Sequence, residues 1–232
     1  MIRTHFCRFV RYATAMAIPR VIYQTFKTRN LPYITRAFIW WMKRVNPGYQ
    51  YEFYTDQRIE DFLRAEYEPR IHAAYSRLAI GAAKGDFFRY TILYRKGGVY
   101  IDIDGAILKS LDQHIIKPTD EAIITRERNP GLFAQWALMF NRDHPILKKT
   151  IDKMVDNIEN NRYPQDVHLT TGPTVFTAAV NEYMAENGSV PYRIFGVDYD
   201  GILIPKHFLN RWMYYQHEHW MKTQKKRSLL ND

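Results

Sequence analysis

A single cysteine, Cys7, leaves this 232-residue chain unable to form an intrachain disulfide or a cysteine-based zinc cluster. That fits a reducing, cytoplasmic setting. No stretch approaches the roughly 20 apolar residues needed to span a bilayer. No repeat, low-complexity tract or Gly/Ser linker divides the sequence, so one domain over residues 1–232 is expected. Carboxylates are in short supply. Asp and Glu number 24 against 33 Lys and Arg, a formal net charge of +9. Such a surface suits a polyanionic partner, or simply solubility. Outside Lys225–Arg227 the cations are dispersed and no nucleic-acid motif is found, so no nucleic-acid partner is expected.

The N-terminal segment 1–17 is basic and partly apolar, but Arg8 and Arg11 interrupt the continuous core of a signal peptide. It reads either as an amphipathic helix on the inner face of an anionic membrane or as a helix packed on the domain. Residues 205–232 read as a closing segment followed by a polar, basic tail. Aromatic residues reach 15%, which suits stacking on sugars or bases, or an aromatic core.

Strand and helix patterns alternate over the first hundred residues. A strand at 18–26 opens with Pro19, a helix at 33–45 stops at Asn46-Pro47-Gly48, and 49–55 alternates as a strand does. Thr55 or Asp56 caps a short helix. A helical pattern from Pro69 to Arg95, with a break at Gly81 or Gly85, ends at Gly97-Gly98. The spacing then predicts strands at 99–104, 121–126, 133–140, 192–197 and 201–204, with helices at 145–160 and 172–184. This order argues for an open α/β sheet, which binds ligands beyond the C-terminal ends of its strands.

At such an end stands Val99-Tyr100-Ile101-Asp102-Ile103-Asp104-Gly105. If the strand runs through it, Asp102 and Asp104 project to one side. Two carboxylates so placed repel unless a cation or proton lies between them. A hard divalent ion, Mn²⁺ or Mg²⁺, shared with phosphate oxygens meets that need. By itself D-x-D is weak, and a second triplet, Asp198-Tyr199-Asp200, reads as a chance occurrence in a turn before Gly201. A calcium loop fails, because Ala106, Ile107 and Gln113 stand at its ligand and glycine positions. The start of a haloacid-dehalogenase-type phosphatase is a closer rival, with Asp102 as nucleophile. Yet Ala106 replaces its threonine, and about a hundred residues precede a motif that normally opens that fold.

The longer segment Gly81–Asp104 resembles the donor site of the DxD sugar-binding glycosyltransferases, family 32. Asp86, Arg89, Tyr90, Leu93, Gly97, Gly98, Tyr100, Asp102 and Asp104 all fall in register with that family's spacing. The glucosyltransferase domains of large clostridial toxins are similar. The stretch 18–26 resembles the family's first strand, with Tyr23 for its histidine, Gln24 in register, and Phe26 for a base-stacking tryptophan. The resemblance implies a GT-A-like, Rossmann-type α/β domain with a mixed sheet flanked by helices. It also implies hexose transfer, with retention, from a UDP- or GDP-sugar to a glycan or lipid-linked glycan. Asp86, Arg89, Asp102 and Asp104 would carry catalysis. Gln24, Phe26, Tyr100 and Gln135 would join Asp86, Arg89 and Asp102 around the donor. Asp102, Asp104 and His219 would hold Mn²⁺ or Mg²⁺. His219 stands in Gln216–Gln224, where the family's closing His-His-x-x-x-Ser-Trp is altered.

Overall fold

The computed structural model of the protein describes residues 17–187, 192–205, 224–226 and 228–231. In chain order its strands and helices are β1 (Val21–Thr25), α1 (Tyr33–Val45), β2 (Gln50–Tyr54), α2 (Asp56–Glu66), α3 (Pro69–Arg77) and α4 (Gly81–Lys96). Then come β3 (Gly98–Ile101), β4 (Ala106–Ile107), α5 (Leu111–His114), β5 (Ala122–Arg126), β6 (Ala137–Phe140) and α6 (Pro145–Glu159). The last are α7 (Val167–Thr170), α8 (Pro173–Glu186), β7 (Tyr192–Val197) and β8 (Leu203–Ile204).

Six strands form one mixed sheet in the order β2-β1-β3-β6-β5-β7. β1 runs parallel to β2 and β3, whereas β6 is antiparallel to both β3 and β5. β4 and β8 pair as a separate two-stranded ribbon. Alternation along the strands divides the core. Tyr23 and Tyr100 join one apolar cluster with Phe87, Phe88, Ile146 and Phe176 from the helices. Their neighbours Ile22, Val99 and Ile101 join another, with Met42, Leu111 and Tyr199. The flanked mixed sheet is the architecture expected from the sequence.

Local chemistry explains most boundaries. Thr55 Oγ1 accepts the Arg58 amide at 3.4 Å and caps α2, while proline occupies the first turn of α3, α6 and α8. α4 ends at Gly97, with φ +64°. Gly98 follows at φ +110°, where an added Cβ would lie 2.7 Å from the Val21 carbonyl oxygen. This pair of glycines lets β3 enter close beside β1.

Three expectations are corrected. The break in the 69–95 helical stretch falls at Leu78–Ile80 rather than at Gly81 or Gly85. There the Ala79 amide donates to Leu229 O at 2.8 Å and Leu78 bridges Leu230, so a partner from the far end of the chain interrupts the helix. Leu229 and Leu230 are accordingly buried, within a tail expected to be polar. β3 stops at Ile101: the Asp102 amide still bonds Trp136 O at 2.7 Å, in register with the ladder, but the Asp102 carbonyl turns to accept from the Gly105 amide at 2.9 Å. The strands expected at 133–140 and 201–204 shorten to 137–140 and 203–204. The amphipathic reading of 1–17 lies, except for Ala17, outside the described residues, as does most of the closing segment.

Gly98→Ala is expected to cost about 2–3 kcal/mol through strain and contact with β1. At Gly81, the first residue of α4, nothing lies within 4 Å of an added Cβ. Gly81→Ala should therefore be neutral or stabilising by about 0.5–1 kcal/mol. Urea unfolding of both variants checks the contrast.

Candidate functional site

The site assembles where α4 passes the end of β3. Asp86 and Arg89 lie one turn apart on α4, both buried, with Arg89 Nη2 3.1 Å from Asp86 Oδ1. The same Nη2 donates to Asp102 Oδ1 at 3.0 Å. Tyr100, pointing into the same layer from β3, donates its hydroxyl to that oxygen at 2.8 Å, and the guanidinium carbon of Arg89 sits 4.9 Å from the Tyr100 ring centroid. Arg89 Nη1 donates to Gln135 O at 2.8 Å and Nε to Gly85 O at 3.4 Å. One guanidinium thus ties the helix, the strand end and the approach to β6 together.

Asp86 is held from every side. Gln135 Nε2 donates to its Oδ1 at 2.9 Å and Thr171 Oγ1 to its Oδ2 at 2.9 Å. Tyr90 donates to Gln135 Oε1, fixing the amide. Burial nevertheless pushes the Asp86 pKa up to about 7, outweighing the pull of Arg89, Thr171 and Gln135 toward the ionised form.

Asp102 is the more open carboxylate, with its side chain 28% exposed. Its main-chain oxygen accepts from Gln24 Nε2 at 3.1 Å and from the Gly105 amide at 2.9 Å, which closes a tight turn over residues 102–105. Tyr51 donates to Gln24 Oε1 at 3.1 Å, so buried Gln24 braces the turn from β1. Asp104 lies within the turn and is buried. Phe26, just past β1, is partly exposed and belongs to neither apolar cluster, whereas Tyr23 is a core residue.

Asp86, Arg89, Tyr100, Asp102, Gln135 and Gln24 therefore form one hydrogen-bonded network, with Asp104 two residues beyond Asp102. His219 lies outside the described residues. Sequence reading missed Thr171, Tyr90 and Tyr51. Their registers in Thr-Gly-Pro, Arg-Tyr and the second strand are visible, but not their partners. It also set Asp198 aside. Asp198 is buried, accepts from Arg128 Nε at 2.7 Å and from the Trp136 indole at 3.2 Å, and Trp136 in turn holds the Asp102 amide. Asp198, Tyr199 and Asp200 all have positive φ, and Tyr199 is buried, so this triplet is a constrained brace behind the site.

Among the described residues, no three His, Cys, Asp or Glu side chains cluster as a metal cage. Two hard carboxylates in one turn fit an ion that completes its shell with water and phosphate oxygens, as Mg²⁺ and Mn²⁺ do.

The mixed six-stranded sheet flanked by helices is a GT-A-type fold. The fold matches the PaToxG glycosyltransferase with a TM-score of 0.61 at 19% identity, over 91% of this chain and 80% of that one. It also matches the UDP-bound glycosyltransferase domain of the YGT toxin with a TM-score of 0.54 at 9% identity, covering 77% and 79%. Residues 34–128 match the family described as glycosyltransferase sugar-binding region containing DXD motif. The initiation-specific alpha-1,6-mannosyltransferase of Candida albicans is 29% identical over 215 residues, covering 75% of this chain and 55% of the relative. Inositol phosphoceramide mannosyltransferase 1 of Schizosaccharomyces pombe is 32% identical over 165 residues, covering 70% and 48%. The chain thus spans about half the length of the curated relatives it matches.

Asp86 binds its proton more tightly in the folded state than in the unfolded chain. Its contribution to stability is therefore full below about pH 4 and is lost as pH rises through about 7. Asp86→Asn keeps the acceptor for Arg89 and Gln135 but cannot ionise. Relative to the wild type, the variant should gain stability as pH increases from about 5 to 8. Denaturant midpoints across that range test this, and a difference constant with pH would mean that Asp86 stays ionised throughout.

Proposed function

We propose that the protein is a metal-dependent glycosyltransferase that moves a hexose from a nucleotide sugar to a glycan or lipid-linked glycan, with retention of anomeric configuration. The observation that carries this reading is the Asp86–Arg89–Asp102 network, which holds an acidic turn at the C-terminal edge of the parallel strands. The relatives named as mannosyltransferases favour mannose as the hexose.

In this reading Asp102 and Asp104 hold Mn²⁺ or Mg²⁺, with His219 as the further ligand inferred from the family's closing element. When bound, the metal neutralises the diphosphate as the glycosidic bond to it breaks. Arg89 keeps Oδ1 of Asp102 occupied and so fixes the carboxylate plane. Tyr100 does the same from β3, and Gln24 holds the main chain of the turn. Phe26 offers a partly exposed ring for the nucleotide base. Asp86 and Gln135 line the donor side of the network, where they set the position of Arg89. None of the described carboxylates stands apart as a general base. The reading therefore gives the acceptor's proton to the departing phosphate on the same face of the sugar. No helix among the described residues is long and apolar enough to cross a membrane, and the lone cysteine favours a cytoplasmic site of action.

The rival phosphatase reading has no observation in its favour beyond the Asp102-x-Asp104 triplet itself. Thermal melting with UDP- and GDP-sugars, each with and without Mn²⁺, separates the two. A donor at about a hundred times its dissociation constant adds about 2.7 kcal/mol, or roughly 5–10 °C in a chain of this size. The shift should need metal and nucleotide together and disappear in Asp104→Asn. Release of phosphate from simple esters with no shift for any donor would overturn the proposal.

A further inference from the structure

α1 presents two unlike faces. Thr35 and Met42 are buried, and Ile39 packs on the cluster of Ile107 and Leu111. The opposite face carries Tyr33, Ala37, Trp40, Trp41 and Arg44, spaced as one side of a helix. Tyr33 is 87% exposed, Trp40 63% and Trp41 43%. The two indole rings lie 6.4 Å apart, and only that of Trp41 is tied back, donating to Leu108 O at 3.1 Å. Rings of this size left in water mark an interaction surface.

Along this stretch of chain the charge has one sign. Residues 27–51 contain Lys27, Arg29, Arg36, Lys43 and Arg44 and no carboxylate. Arg36 and Lys43 flank the aromatic face, both exposed. Exposed Trp and Tyr mixed with Lys and Arg is the composition of a helix lying in the interface of an anionic bilayer, where the rings reach the acyl boundary and the cations meet phosphates. Other occupants fit the charge poorly. Residues 1–16 carry Arg3, Arg8 and Arg11 and no acid, residues 206–223 hold three Lys or Arg against Glu218 alone, and a second copy brings the same net charge of +9.

We propose that the outward face of α1, with Tyr33, Trp40 and Trp41 as anchors and Arg36, Lys43 and Arg44 as phosphate contacts, docks on an anionic lipid bilayer. The inner face of α1 packs over the acidic turn. Phe38, Ile39 and Met42 line a narrow space with Gln24, Ile103 and Gly105. Docking sets that turn about one helix diameter, roughly 10 Å, from the lipid. The surface stands on α1 alone and does not depend on the transfer reaction.

The test is flotation of the full chain with phosphatidylcholine vesicles, with and without phosphatidylserine. Binding is expected only to the anionic vesicles, with a blue shift of tryptophan emission and a loss at high salt. Tyr33→Ser/Trp40→Ser removes two exposed rings whose ring and cation contacts are to Arg36 and Trp41 on the same helix. It should keep the wild-type melting temperature and raise the lipid needed for half-binding by roughly tenfold or more. Arg36→Gln/Arg44→Gln should weaken binding and flatten its salt dependence. Three results would overturn the proposal: no flotation with anionic vesicles, flotation unchanged by both double variants, or a wild-type dimer that Tyr33→Ser/Trp40→Ser dissociates.

Discussion

One guanidinium, buried between two carboxylates, determines the rest of the site. Arg89 Nη2 lies 3.1 Å from Asp86 and 3.0 Å from Asp102. A buried arginine without partners would be untenable, and a buried Asp86 beside the Asp102 carboxylate would be costly without a cation between them. Each therefore requires the others. Because α4 supplies one partner and the end of β3 the other, the requirement fixes a helix against a strand terminus. Desolvation is severe enough to raise Asp86 to about 7 even so, while the Asp102 side chain remains 28% exposed.

Around this centre the polar side chains hold one another before any ligand arrives. Gln135 is engaged at both ends of its amide, Gln24 grips the main chain of the turn, and Asp198 reaches the same turn through Trp136. A site organised in advance loses less on binding than one that must be assembled. The relevant part of the molecule is a hydrogen-bonded rim in which the Asp102 side chain is the more exposed carboxylate.

Much of this was readable in the residues. The 3.6-residue and two-residue periods place α1, β2, α6, α8 and β7, since each boundary there depends on a local cap, proline or turn. Asp86, Arg89, Tyr100 and Asp102 were picked out by the family resemblance, and the structure brings them into one hydrogen-bonded network. What escaped is whatever distant chain decides. The break at Leu78–Ile80 depends on Leu229 and Leu230, and the turn that ends β3 is braced by Gln24 from β1. Thr171 meets Asp86 across 85 residues, and Asp198 read as part of a chance triplet in a turn because Arg128 and Trp136 are far away in sequence.

The pairing at Leu78–Ile80 bears on how the molecule is made. Ala79 is bonded to Leu229, and the Asn231 amide donates to Arg77 O at 2.7 Å, so a seam is closed by residues some 150 positions apart. Contacts of such span form late, after most of the chain has collapsed. During synthesis α3 and α4 must wait, with the apolar side chains of Leu78 and Ile80 uncovered, until residues 229–231 have been added. Apolar surface left open in this way favours aggregation.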